Sequence, residues 1–136
     1  MARERGEAAI EFIVLTVCVA VPVLSLVLAL SSVQAAVFAS EAGAREAARV
    51  LAVSPDSTEI AREQVDLAFA DYGLAAPSAV EVSCVPAGCT GAEARIRVRV
   101  ATSVPLPLVP AWAERFGAFP VAATSESLID GMALDE

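Results

Sequence analysis

The chain has 136 residues, which is room for one helical anchor and one modest domain. Its apolar fraction of 57% exceeds the usual 45 to 50% or so of soluble chains, and its net charge is −8. The acidic balance argues against nucleic-acid binding, which needs a basic surface. With no His, no zinc-ligand spacing, no Gly-x-Ser-x-Gly and no Walker A sequence, the chain is expected to be no enzyme and to carry no metal or cofactor.

The first predicted element is a long apolar helix. No charged side chain occurs in residues 12–40. Residues 12–30 alone span about 28 Å as a helix, which is enough to cross a bilayer. We place the transmembrane segment at about residues 10–32. Pro22 is expected to kink this helix, and the hydroxyl groups of its Ser and Thr side chains are expected to form hydrogen bonds with carbonyl oxygens of the same helix.

Glu11 lies at the edge of this apolar stretch, where a carboxylate is least expected. It follows Gly6 by five residues and precedes Phe12, in the order Arg-Gly-Glu-Ala-Ala-Ile-Glu-Phe. Ionisable groups in membrane segments are costly, so each is a candidate functional residue. The competing interpretation is an interfacial acid that reaches water near a helix end.

This arrangement resembles the processing site of type IV prepilins, and its particular form is similar to that of the TadE-like minor pilins, or pseudopilins, of the Flp/Tad tight-adherence pilus system. The resemblance implies that a membrane-embedded prepilin peptidase cuts after Gly6, leaving Glu7 as the mature N-terminus and Glu11 at mature position five. It further implies a role in pilus assembly or adhesion with other pilins and the Tad secretion machinery, as a hetero-oligomer or in a filament.

The acidity of Glu11 has a physical reason independent of any family. A helix N-terminus presents an ammonium group and unpaired N–H groups, and this positive charge is expensive in hydrocarbon. A carboxylate one turn further along the same helix, or on a neighbouring helix, neutralises this positive charge. Removing one partner of such a buried pair costs about 3 to 5 kcal/mol. Glu11 is therefore expected to be the counter-ion of the ammonium group that cleavage creates.

The helix is expected to continue beyond the membrane until Pro55 ends it. Glu41 and Arg45 should form an ion pair at i and i+4, and residues 41–49 are similar to the Ala-Arg-Glu-x-Ala-Arg stretch of TadE-like proteins. Residues 31–51 are also rich in Ala. This surface suits close packing against other helices, or it is a solvated face; the sequence leaves both open.

A second helix is predicted after Pro55, with Asp56 as its N-cap, Glu59 completing a capping box, and Gly73 as its stop. An apolar stripe at helical spacing should form core packing. Its members are Ile60, Ala61, Val65, Ala68 and Tyr72.

Alternation of apolar and polar residues predicts strands at residues 80–84 and 94–100, with a weaker third at 121–129. We expect a small antiparallel sheet covered by the second helix. The polar row of the second strand is interpreted as a solvated face, with binding of an anion or an acidic neighbour as the less favoured alternative. That row consists of Arg95, Arg97 and Arg99.

Prolines and aromatic residues mark the rest of the chain. Pro105, Pro107 and Pro110 predict an irregular crossover ending at Trp112. Trp112 and Phe116 are expected to seal the core. The residues from 130 onward should be a loose acidic tail.

Cys84 and Cys89 bracket Val-Pro-Ala-Gly, which favours a tight turn between two strands. Outside the cytoplasm the two thiols should form a disulfide, which would stabilise the domain by about 2 to 3 kcal/mol at most. Cys18, alone in the membrane segment, is interpreted as a small apolar residue.

Together these patterns predict an α+β chain with a long N-terminal transmembrane helix at residues 7–54 and a small head at 55–136. The resemblance implies that the chain is pilin-like, with a leader at residues 1–6 and the head outside the cytoplasm. The expected location is the cytoplasmic membrane, crossed once and in contact with lipid. Arg residues lie near both ends of the membrane segment, so the distribution of positive charge does not determine which end is cytoplasmic. The orientation with the head outside the cytoplasm follows from the resemblance and the expected disulfide. Two alternatives remain: a secretory signal cut before Ala36, and an uncut signal-anchored scaffold protein unrelated to pili.

Overall fold

The computed structural model describes residues 2–89, 93–105 and 117–129, with side chains described from residue 8 onward. Two helices precede three strands. The helices are α1 (Ala2–Val53) and α2 (Thr58–Asp71), and the strands are β1 (Ala79–Val85), β2 (Arg95–Pro105) and β3 (Ala118–Leu128). The strands form one antiparallel sheet in the order β1-β2-β3. The predicted α+β, pilin-like layout of a long helix with a small head is therefore confirmed.

Helix α1 is continuous from end to end and includes Pro22. The Ser25 hydroxyl donates a hydrogen bond to the Val21 carbonyl oxygen at 2.6 Å, as expected for a hydroxyl group in an apolar helix. The helix ends at Val53, two residues before Pro55, because a proline disfavours the α conformation of the residue that precedes it. The kink at Pro22 stays a prediction.

The two halves of α1 have different surroundings. Large apolar side chains in residues 10–30 are exposed, whereas one face of residues 36–52 is buried against α2, β2 and β3. The fully buried residues on this face are Ala36, Ala39, Ser40, Ala44, Ala47, Ala48 and Leu51. Close helix packing therefore occurs within the chain, and the solvated interpretation of the Ala-rich surface is wrong for this face.

At Gly43, α1 lies close to α2. A Cβ atom added at Gly43 would lie 3.2 Å from Cγ1 of Val65 and 3.3 Å from its Cα. Since the second of these atoms belongs to the backbone, a Cβ atom at this position requires α2 to shift by a few tenths of an ångström, and a larger side chain requires a larger shift.

The boundaries of α2 correct one prediction and agree with another. Ser57, not Asp56, occupies the N-cap position, and it makes no side-chain capping hydrogen bond. The helix begins at Thr58, so the predicted cap lies one residue too early. Gly73 follows the helix with a φ of 67°, a left-handed conformation that suits glycine and stops the helix.

The buried face of α2 consists of Ala61, Val65 and Phe69, spaced four residues apart. Ile60 and Tyr72, which the predicted stripe included, are 52% and 46% exposed. Their assignment to the core is wrong. The predicted stripe was too wide because α2 has one principal neighbour, α1, which covers only a narrow line of its surface.

Strand β2 is the centre of the sheet and alternates buried apolar residues with exposed arginines. Its buried residues Ile96, Val98 and Val100 face α1 and α2 in the main core. The strand extends to Pro105, which pairs with Ala118 of β3, so the expectation of irregular structure is wrong at this proline. Pro107, Pro110, Trp112, Phe116 and the acidic tail lie outside the described residues.

The sheet is covered by α1, and the expectation that α2 covers it is wrong. Helix α1 makes the main contacts with β2 and β3, while α2 packs chiefly on α1. Strand β1 is left near the margin, where Val82 is 44% exposed although it pairs with the buried Val98. The expected fully buried face therefore exists in β2 but not in β1. The Ala-rich face of α1 has side chains short enough to approach a sheet.

Candidate functional site

Gly6 and Glu7 lie near the start of α1, and the helix runs through both of them. The predicted cleavage position is therefore on the same continuous helix as the apolar segment. It lies one turn and a half before Glu11.

Glu11 and Phe12 are both exposed on α1, Phe12 by 70%. Glu11 borders an open apolar depression of about 490 Å³ that also involves Ile10, Val14, Leu15 and Cys18 on the same side of the helix. Among the side chains that the structure describes, none forms an ion pair with Glu11. The carboxylate is thus presented on an apolar helix surface.

Helix α1 is the one described helix that is long and apolar enough to cross a membrane. Its most apolar 18-residue window has a mean hydropathy of 2.9 and is 0% buried by the rest of the chain. Such a surface, apolar all round, is typical of a membrane span.

The Cys84 and Cys89 sulfur atoms are joined in a disulfide, with the two Cα atoms 5.1 Å apart. The bridge closes the end of β1, and Cys89 packs against the main core. This site is remote from Glu11. Ala36, the first residue that the head buries, follows Glu11 by 25 positions along α1, a rise of about 37 Å. The predicted site residues therefore form two separate groups.

The arginines of β2 lie on the face of the sheet opposite α1, beside acidic residues. Nη2 of Arg97 lies 2.7 Å from Oε1 of Glu126 on β3, and Nη1 of Arg95 lies 4.0 Å from Oε2 of the same carboxylate. Arg99 pairs in register with Glu81 of β1. The Arg95, Arg97 and Glu126 side chains are 34 to 49% exposed, so the row is the solvated face that the alternation predicted, and Glu126 neutralises part of its charge.

A salt bridge and a buried hydroxyl group lie on the part of α1 that enters the head. Arg45 donates a hydrogen bond to Oε2 of Glu41 at 2.9 Å, which confirms the predicted i, i+4 pair. Ser40, directly before Glu41 in the chain, is fully buried, and its hydroxyl group has no hydrogen-bond partner among the described residues. No pattern in the sequence signals this burial, because Ser is common on solvated helix surfaces.

The described part of the head has clefts on its surface. One, of about 300 Å³, lies between α1 and β3 and is lined by Glu41, Arg45 and the β3 residues 122–125. Another, of about 320 Å³, lies beside Ala36, between the segment that follows α2 and the end of β2. Within the described ranges, no group of three or more His, Cys, Asp or Glu side chains is arranged to hold a metal ion.

Comparison with known proteins adds no relative. No family model matches the chain, and neither a curated protein nor a solved structure is detectably similar to it.

Proposed function

We propose that the chain is a minor pilin or pseudopilin of a Tad/Flp-type pilus, processed after Gly6 by a prepilin peptidase and active in pilus assembly or adhesion. One observation carries the proposal: Gly6, Glu11 and Phe12 stand at prepilin spacing at the start of an apolar helix of membrane length. The chain would cross the cytoplasmic membrane once, with its head outside. Its partners would be the peptidase, other pilins and the Tad secretion machinery.

The position of Glu11 supports a role in assembly. Cleavage after Gly6 creates an ammonium group at Glu7, one turn before Glu11, at the end of a helix that already carries partial positive charge. A neighbouring mature helix would present the same charge. Because Glu11 faces outward from α1, its carboxylate is placed to neutralise an ammonium group on its own helix or on the next one.

The continuity of α1 supports a mechanical link between membrane and head. The same helix that presents the apolar surface at residues 10–30 supplies one wall of the head core at 36–52. A displacement of the membrane segment along its axis would therefore move the head with it. This is the behaviour required of a subunit that is pushed out of, or held in, a membrane during filament assembly.

The location of the head outside the cytoplasm is supported by the Cys84–Cys89 disulfide. Structural disulfides persist in oxidising compartments and are rare in the cytosol. The leader with its two arginines would then be cytoplasmic.

Two features of α1 argue against secretion with cleavage before Ala36. The bond between Ala35 and Ala36 lies inside the continuous helix, and Ala36 is fully buried. Cleavage there would also remove Val33, which packs against the core cluster of Ala36, Val104 and Val121. A released head would lose part of its own core.

Intact mass spectrometry of the full chain, co-expressed with a prepilin peptidase and recovered from membranes, tests the proposal. The wild-type chain should begin at Glu7. Gly6→Leu should accumulate uncut, because a bulky side chain replaces the glycine at the proposed cleavage site. Ala35→Leu is the matched control, since it blocks a signal peptidase acting before Ala36 and should leave processing at Gly6 unchanged.

The other results identify the competing functions. A wild-type chain beginning at Ala36, with cleavage lost in Ala35→Leu but retained in Gly6→Leu, would establish a secreted protein and overturn the proposal. A full-length wild-type chain, recovered beside a control prepilin that the same peptidase cuts, would leave the signal-anchored scaffold protein.

A further inference from the structure

Three exposed aromatic side chains occur at one end of the head, each on a different element. Phe38 of α1, Tyr72 at the end of α2 and Phe119 at the start of β3 are 56%, 46% and 51% exposed. The remaining aromatic residue described in the head, Phe69, is buried. The exposed large side chains at the opposite ends of these elements are aliphatic: Val53, Ile60 and Leu128.

The three aromatic residues lie at one level along α1. Ala36 packs in a small core with Val104 and Val121, and Leu74 packs against the same cluster. Phe119 pairs in register with Val104, and Tyr72 precedes Leu74 by two residues in the chain. This level, which we name the aromatic end of the head, is where α1 leaves the head toward its apolar segment.

The four described segments at the aromatic end contain no charged residue. These segments are residues 31–40, 72–80, 100–105 and 117–125. Asp71 precedes the second of them, and Glu41, Glu81, Arg99 and Glu126 lie beyond these segments toward the opposite end of the head. Glu114 and Arg115, in residues 106–116 between the third and fourth segments, lie outside the described residues. In a chain with a net charge of −8, four neighbouring segments without a charge, at the end where α1 continues into its apolar part, indicate a distinct environment.

The length of α1 locates this end relative to a bilayer. The uncharged residues 12–40 form 29 helical positions between Glu11 and Glu41, a rise of about 43 Å. A bilayer is about 30 Å thick in its hydrocarbon core and about 40 to 45 Å with its headgroup regions. If Glu11 lies at one surface, the helix positions from Ala36 to Ser40 lie in the opposite headgroup region.

We propose that the aromatic end of the head rests in the headgroup region of the bilayer that α1 crosses, with Phe38, Tyr72 and Phe119 in contact with lipid. Tyr is enriched at this depth, where its ring is in an apolar and its hydroxyl group in a polar environment, and Phe adds apolar area that is buried at the headgroup boundary. The cleft of about 320 Å³ beside Ala36 opens at this same level. The contact holds the head against the membrane at three points around α1.

This inference depends on the membrane anchoring contained in the proposed function, but not on cleavage after Gly6 or on assembly into a pilus. A protein partner at the aromatic end is the competing occupant. Reconstitution of the chain alone in lipid separates the two, since only lipid is then present to cover the three side chains.

Site-directed spin labelling in vesicles of phosphatidylcholine and phosphatidylglycerol tests the contact. In a Cys18→Ser background, where Cys84 and Cys89 remain in their disulfide, single cysteines are introduced and labelled. Phe119→Cys is paired with Leu128→Cys at the other end of the same strand. Tyr72→Cys is paired with Ile60→Cys on α2, and the members of each pair have similar exposure in the protein, 51% against 58% and 46% against 52%.

Collision of each label with oxygen, enriched in lipid, and with a water-soluble nickel complex gives its depth. Labels at positions 119 and 72 should show a several-fold higher ratio of oxygen to nickel collisions than labels at 128 and 60. Equal ratios within both pairs, with a label at Val23→Cys deep in the bilayer, would overturn the lipid contact and leave the anchor intact. A label at position 23 that collides mainly with nickel would overturn the anchoring itself, and the lipid contact with it.

Discussion

At the scale of single residues, the decisive position in the head is one where a side chain is missing. Gly43 lets α1 and α2 approach until a Cβ atom would lie 3.2 to 3.3 Å from atoms of Val65. The neighbouring residue Ala42 is also small, but it is exposed. Gly43 is small because packing against α2 requires it, whereas the small size of Ala42 reflects only the abundance of alanine in this chain.

Replacement of Gly43 by Leu should destabilise the head by about 1 kcal/mol, since overpacking costs about 1 to 3 kcal/mol and the gain in helix propensity, about 1 kcal/mol, offsets only part of it. Thermal unfolding of the full chain in detergent, followed by near-ultraviolet circular dichroism, measures the loss. Ala42→Leu is the control, and its melting temperature should stay close to that of the wild type. Equal melting temperatures for the two variants would contradict the close approach of the helices.

Glu11 illustrates what a single residue can indicate without any fold. Its significance comes from its neighbours in the chain, a glycine five positions before and a run of uncharged residues after it. Ser40 is the opposite case, because its hydroxyl group is buried only through contacts made after folding.

At the scale of elements, the short loop closed by the disulfide is the one covalent restraint that the structure describes in the head. Cys84 lies near the end of β1, and Cys89 packs on the main core with a φ of 50°. The bridge therefore connects a marginal strand, whose Val82 is 44% exposed, to the interior. Strand β1 is the element that depends most on it.

Replacement of both Cys84 and Cys89 by Ser should lower the stability of the head by about 2 kcal/mol, the loop-closure entropy of so short a loop. Chemical denaturation of the full chain in detergent micelles, with and without the two substitutions, measures the change. Cys18→Ser is the matched control and should leave the transition unchanged, because Cys18 is exposed on the apolar helix. If the double substitution also left the unfolding transition unchanged, β1 would be stable in the sheet without the disulfide.

At the scale of the whole molecule, α1 belongs to two environments. Its residues 36–52 supply much of the buried surface of the head, while residues 10–30 touch none of the core clusters. The head therefore cannot be separated from α1 at the membrane surface without opening its core. Residues 36–52 of α1 should therefore unfold together with the sheet, and residues 10–30 should unfold separately from them.

Hydrogen–deuterium exchange of the full chain in lipid nanodiscs, at increasing urea, tests this division. Amides of α1 from residue 40 to 52 should lose protection together with those of β2 from residue 96 to 100, because both belong to one core. Amides of residues 14–28 should stay protected beyond that transition, since the bilayer shields their hydrogen bonds. Loss of protection along α1 as one unit, separate from β2, would be incompatible with a shared core.

Local patterns in the sequence determined a large part of this protein. The apolar run, together with the prolines and the glycine that end the helices, predicted both helices. Alternation of apolar and polar residues predicted the three strands, the third more weakly. These signals are readable in the sequence because each one depends only on neighbouring residues. The candidate processing site was also visible, since its residues lie within seven positions of one another. These features need no knowledge of distant contacts.

Only the tertiary structure decided which faces are buried. It placed α1, not α2, over the sheet, turned the alanines of α1 inward, and left Ile60 and Tyr72 outside. It also gathered Phe38, Tyr72 and Phe119, far apart in the chain, at one end of the head. A periodic pattern shows that an element has an apolar face. Which partner covers that face depends on how closely the elements can pack. Here the small residues of α1 let this helix approach both the sheet and α2.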